Sequence, residues 1–122
     1  MPFDALTLSR LAAAEEVEIK TTRPDGRHRR TIIWVVVAGR DVFARSVRGE
    51  RGHWFQAALD RPSEVELLLD GRRIPVRAVA ATDGDSIARC SGELESKYRD
   101  DPSLPSMLRR MVLPATVRLE PR

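Results

Sequence analysis

What this chain has little of narrows its class before any motif is read. Of its 122 residues only one, Cys90, is cysteine, so no internal disulfide can form, as expected in a reducing compartment. Two Trp, three Phe and one Tyr are too few for the stacking platform of a single-strand nucleic-acid binder. The two histidines, His28 and His53, stand apart from each other and from Cys90. Without metal-ligand spacing they argue against a zinc site, and no metal is expected. The longest apolar run, Ile32 to Ala38, is far short of the roughly 20 residues of a membrane-spanning helix. The start, MPFDALTLSRLAAAEEVE, lacks the basic opening of a signal peptide, and a cytoplasmic location is the expectation. No Gly-x-Ser-x-Gly elbow, Walker loop or dinucleotide glycine pattern occurs, which argues against the commonest hydrolase and nucleotide-binding classes.

Charge of either sign is plentiful, but the balance is small. Twenty-one basic against 18 acidic residues leave a net +3, a weak bias for a dedicated nucleic-acid binder, and none is expected as partner. The distribution says more than the sum. Lys20 to Arg30 holds Lys20, Arg23, Arg27, Arg29 and Arg30 against Asp25 alone. A second basic loop carries Arg45, Arg48 and Arg51 among Gly49 and Gly52, just before a helical pattern that begins near Trp54. Glycines let backbone approach a ligand closely. Helix-start amides and guanidinium forks together suit a phosphate group. Either loop alone reads as a solvated turn; two converging on one ligand read as a site.

The periodicity is mostly that of short strands. Phe3 to Ala14 reads as a helix capped by Asp4 or Thr7. Val17, Ile19 and Thr21 then alternate with charged neighbours as a half-buried strand. Arg23-Pro24-Asp25-Gly26 is a turn. Thr31 to Ala38 is continuously apolar and β-branched, which predicts one strand covered on both faces. Gly39-Arg40-Asp41 leads into a strand ending at Ser46, and Trp54 to Leu59 suits one or two helical turns. Val65, Leu67 and Leu69 face Ile74 to Ala80 across Asp70-Gly71, a hairpin signal. Pro75 implies an edge or a bulge in the return strand. A helix capped at Thr82 carries the stripe Ile87, Cys90, Leu94 and Tyr98, where a buried, inert thiol is expected. A short helix starts at Ser106, and Val117 and Leu119 mark a last strand. About six short strands with frequent turns argue for a small antiparallel barrel over a doubly wound sheet.

The order T-x-R-x-x-G-x-x-R, apolar strand, G-x-D-x-F, R-S-x-x-G, W-F-x-x-A-L, hairpin, helix and P-x-x-V-x-L-E-P resembles the FMN-binding split-barrel superfamily. Within it the chain is most similar to the deazaflavin-dependent nitroreductase branch and its small relatives of unknown function, over about Glu16 to Pro121. The resemblance implies a mainly β, six-stranded antiparallel split β-barrel with peripheral helices, of the pyridoxamine-phosphate-oxidase kind. It implies one domain over 1–122, with 1–15 an N-terminal helical segment. It also implies a homodimer binding FMN or an F420-type deazaflavin coenzyme as an oxidoreductase of unknown substrate. Carried over residue by residue, the phosphate would lie on Thr22, Arg23, Gly26 and Arg29 after the first strand. Ser46, Arg48, Gly49 and Arg51 would meet it after the third, with Trp54 opening the helix and Trp34 a wall for the ring. No residue stands out as a proton donor. Where the branch has a Lys-Ser pair before the glycine this chain has Pro24-Asp25, and its usual Asn is Ala57. Those departures keep an alternative open: a non-catalytic split-barrel ligand-binding or dimeric interaction protein that has lost the cofactor.

Overall fold

Asp4 begins the first helix, α1 (Ala5–Ala13), its Oδ1 accepting from Thr7 N at 2.7 Å; a side chain there satisfies a donor the helix cannot. The computed structural model describes residues 2–122. Strand β1 (Val17–Thr22) buries Val17, Ile19 and Thr21, as its alternation predicts. The turn at Arg23–Gly26, with Gly26 at φ 86°, returns the chain as β2 (His28–Ile33). After β3 (Val35–Ala38), Gly39 at φ 64° reverses into β4 (Asp41–Arg45). Helix α2 (His53–Asp60) follows the arginine loop. Strands β5 (Val65–Leu69) and β6 (Arg72–Ala80) form the expected hairpin, with Asp70 and Gly71 at φ 52° and 74°. Then come α3 (Gly84–Lys97), α4 (Leu104–Leu108) and β7 (Thr116–Pro121).

The strands form one curled antiparallel sheet, a half-barrel, in the order β2-β1-β5-β6-β7-β4-β3. Among the described residues there are seven, where the sequence pattern predicts about six. The extra one comes from the apolar run, which divides at Trp34. Ile33 pairs with Val17, the first residue of β1, so β2 has no further partner on that side. Val35 pairs with Ala44 of β4 at the opposite end of the sheet. The two ends of the sheet are therefore halves of one segment joined through Trp34, and the sheet must curl to bring them together. Nor is the run covered on both faces: Ile32 is 62% exposed. Continuous β-branched sequence reports strand propensity, not a change of partner.

Smaller expectations also shift. Pro75 lies in regular register opposite Glu66 on a central strand, with no bulge. Its carbonyl accepts from Arg122 N at 3.2 Å, so its missing N–H faces Arg122, just past the end of β7, and no bond to β5 is lost. Asp83, not Thr82, caps α3, Oδ2 accepting from Ser86 N at 3.0 Å. The helix expected from Ser106 begins at Leu104, and Met111 is 72% exposed beyond it.

Two apolar clusters result. One fills the curl with Ile19, Val65, Leu67, Val76, Leu119, Phe55 and Trp54. The other joins the β3–β4 pair to α3 and α4 through Val36, Phe43, Cys90, Leu94, Tyr98 and Met107. Burial pushes the Cys90 thiol up to about 11 despite the Arg45 charge beside it. Lys97 Nζ donates to Val35 O (2.6 Å) and Leu11 O (3.1 Å), tying α3 to β3 and α1. Among the described residues no helix is long and apolar enough to cross a membrane, and no three metal-ligating side chains gather.

Candidate functional site

The two basic loops open onto the same face. Beside the β1–β2 turn lies a hollow of about 650 Å³ bounded by Arg23, Pro24, Arg29, His53, Ala57 and Asp60. Arg29 and His53 continue into a second, of about 200 Å³, with Ser46, Arg48 and Gly52. Ile32, Val47 and Trp54 continue in turn into a third, of about 260 Å³, walled by Trp34, Ile33 and Met107 and reaching Arg45. The cleft thus grades from guanidinium-rich at one end to aromatic and aliphatic at the other.

Local geometry makes the middle of this cleft rich in hydrogen-bond donors. Helix α2 has no side chain capping its N-terminus; Gly52 occupies the cap position, φ −61° and ψ 133°. The amides of the first turn therefore face outward with the positive end of the helix dipole. A Cβ on Gly52 would overlap Ser46 Oγ, so glycine is what lets the serine sit against the start of the helix. Arg29 Nη1 donates to His53 Nδ1 at 2.7 Å, bridging β2 to the first residue of α2. Because a guanidinium only donates, Nδ1 is the acceptor and the ring proton sits on Nε2. Asp25, the one acid of the first loop, turns back into its own turn. Its Oδ1 accepts from Arg27 N at 2.9 Å, and its Oδ2 lies 3.9 Å from Arg27 Nε.

Of the ten positions singled out in the sequence, Arg23, Arg29, Trp34, Ser46, Arg48 and Trp54 line this cleft. Four do not. Thr22 is buried, its Oγ1 without a hydrogen-bond partner. Gly26 holds the turn at positive φ. Gly49, at φ 69°, packs where a Cβ would stand 3.3 Å from Met111 O. Arg51 is exposed at the end of a 3₁₀ turn (Gly49–Arg51). Trp34 has one face taken already: Tyr98 stacks on it at 3.9 Å and 6° between planes. The Tyr98 hydroxyl donates to Glu15 O at 2.7 Å, and burial first, then the Glu15 and Glu16 charges, raise its pKa.

Sequence reading missed two features. His53 reads as a surface or capping histidine, yet it is the joint between two hollows; only the β1–β2 register brings Arg29 to it. Arg45 reads as one of three loop arginines, but is 1% exposed. It is the last residue of β4, on the same face as the buried Phe43 two positions back, and that spacing was the available signal.

Comparisons with known proteins follow the fold. Residues 7–119 match the model of the family described as "Uncharacterized protein conserved in bacteria (DUF2255)". No curated protein matches in sequence. The conserved hypothetical protein Rv2991 from Mycobacterium tuberculosis superposes with a TM-score of 0.72 at 16% identity, over 98% of this chain and 79% of that one. An F420-H2 dependent reductase (FDR-A) superposes at 0.64 with 15% identity, over 87% and 94%. HutZ, the heme storage protein from Vibrio cholerae, does so at 0.65 with 12% identity, over 100% and 92%. Identities this low speak for a shared fold, the split barrel that the sequence resembles. The family match, spanning nearly the whole chain, is what assigns it: this protein belongs to the DUF2255 family.

Proposed function

We propose that the cleft binds a phosphorylated flavin or deazaflavin coenzyme, and that the protein is an oxidoreductase whose substrate is not yet known. The observation that carries this reading is the grading of one continuous cleft. Arg29, Arg48, Ser46 and the uncapped start of α2 lie at the polar middle, with Trp34, Trp54 and Ile33 at the apolar end. A molecule with an anionic tail and a flat ring satisfies both. The residues present fit such a group, since the first turn of α2 carries no capping side chain and Arg29, Ser46 and Arg48 line the hollow beside it. When bound, the ring carries the hydride chemistry. The chain holds the tail, orients the ring against Trp54 and keeps water from its apolar side. Likeness in fold to the F420-H2 dependent reductase supports the cofactor class. The exposed Ile32 and Val47 on the cleft rim support a homodimer in which a second copy covers them.

Titration with FMN and with a deazaflavin coenzyme, followed by cofactor fluorescence, tests the reading. Each charge-assisted bond contributes about 1.5–3 kcal/mol. Arg29→Ala and Arg48→Ala are therefore each expected to weaken binding about tenfold or more. Binding of neither cofactor would overturn it.

A second reading has its own observation. Pro24 and Ala57, which stand where the related branch has polar residues, both line the basic hollow and remove contacts from it. It makes the protein a non-catalytic binder that has lost the redox cofactor, and likeness in fold to a heme storage protein is consistent with that. It expects a colourless protein whose melting temperature ignores flavins.

A further inference from the structure

Arg45 is a buried cation without a counter-charge. Its Nε donates to Thr116 Oγ1 (2.8 Å), Nη1 to Ser91 Oγ (2.9 Å) and Met107 O (3.0 Å), and Nη2 to Ile87 O (3.1 Å). All four acceptors are neutral. Among the described residues no Asp or Glu forms an ion pair with it. Buried charges are ordinarily paired, because neutral oxygens solvate a cation but do not cancel it. A guanidinium has five N–H groups; four are used, and the remaining one is on Nη2. This arginine also forms part of the wall of the 260 Å³ hollow, whose lining is otherwise mostly apolar, with Trp34, Trp54, Ile33 and Met107 prominent and Glu16 and Ser103 its other polar residues.

We infer that this hollow takes a small, flat molecule bearing one carboxylate, whose negative charge is the missing partner of Arg45. Size, wall and charge each contribute. The volume is below the roughly 300–1,000 Å³ of drug-sized pockets and suits a single ring. Two indoles and a thioether favour a flat apolar body. The buried cation selects an anion over its neutral isostere, since burial strengthens a charge-assisted bond. Glu16 is exposed at the mouth, where it disfavours a second negative group and limits the ligand to one. As a binding site the hollow stands without the redox reading; a coenzyme ring would lie against the same Trp34, Trp54 and Ile33, so the two ligands should exclude each other.

The two tryptophans of the chain both line this hollow, so intrinsic fluorescence reports it directly. Cofactor-free protein is titrated with benzoate and with benzamide, which differ in charge but hardly in shape. Benzoate is expected to change the emission and to bind at least about tenfold more tightly than benzamide. Trp34→Phe and Trp54→Phe, measured separately, should each retain part of the response. Equal affinities, or no response to either compound, overturn the inference. Arg45→Lys, which keeps the charge but loses the fork, should lower benzoate affinity and leave benzamide unchanged; equal losses for both would also overturn it. Because Arg45 ties four elements together, the wild-type benzoate–benzamide comparison decides the matter should that variant not fold. A protein that discriminates the two but ignores flavins keeps this site and loses the redox function.

Discussion

Arg45, the last residue of β4, and Arg48, in the loop that follows, are three residues apart, yet they belong to different regions of the molecule. Arg48 is exposed on the rim, where its guanidinium stays hydrated until an anion arrives. Arg45 is held at the base of the apolar end by four neutral acceptors from α3, α4 and β7. The rim arginine adds little to folding and is available to a ligand. The buried one is built into the fold, and its charge remains unanswered. Burial, more than residue type, separates an arginine that serves a ligand alone from one that also holds the fold together.

The largest expected break in this comparison is Arg45→Met. It removes four hydrogen bonds, and although Thr116 Oγ1 still donates to Leu113 O, each buried group left unsatisfied costs about 1–3 kcal/mol. Partly offset by removing a buried charge, the loss in unfolding free energy should be about 3 kcal/mol by denaturant titration. Arg48→Met should stay within about 0.5 kcal/mol.

The rim has its own weak point at Gly52. Gly52→Ala should cost about 1–3 kcal/mol, because its methyl group meets Ser46. In Ser46→Ala/Gly52→Ala much of that cost should return; additive losses would mean that the serine is not what excludes the side chain. Within the cleft, Arg51→Ala should leave flavin affinity within a factor of two, since Arg51 does not line any of the three hollows, whereas Arg29→Ala lowers it about tenfold.

The smallest effects are in pH. Burial lowers Lys97 to about 8 from 10.5, so on rising pH the folded chain releases this proton before the unfolded one. Stability should therefore rise from about pH 8, and Lys97→Met should abolish the rise in thermal melts. Cys90 acts in the opposite sense. Its folded value of about 11 lies above the ordinary 9.0, so its contribution is complete below pH 9 and is lost toward 11. The Lys97 rise is thus seen alone between about 8 and 9. For the same reason Cys90 should resist thiol reagents at pH 8 until the protein is unfolded.

Much of the fold was legible locally. The β5–β6 hairpin followed from Asp70-Gly71, the stripe of α3 from Cys90, Leu94 and Tyr98, and the β1 alternation from Val17, Ile19 and Thr21. These features depend on neighbours within a few residues. The division of the apolar run at Trp34 was not legible, because it depends on Val17 and Ala44 being at opposite ends of a sheet. The candidate site divides along the same line. That arginines and glycines cluster in two loops was readable; that Arg29 meets His53 while Arg51 points elsewhere was not.

The sequence by itself determined a chain of short strands without an internal disulfide, two basic loops and the likeness to a split-barrel fold, because spacing and turn chemistry act over short distances. Tertiary structure alone decided which basic groups share one cleft and which arginine is buried in its wall. Those outcomes are set by strand register and sheet curl, which bring together residues such as Arg45 and Thr116, 71 positions apart.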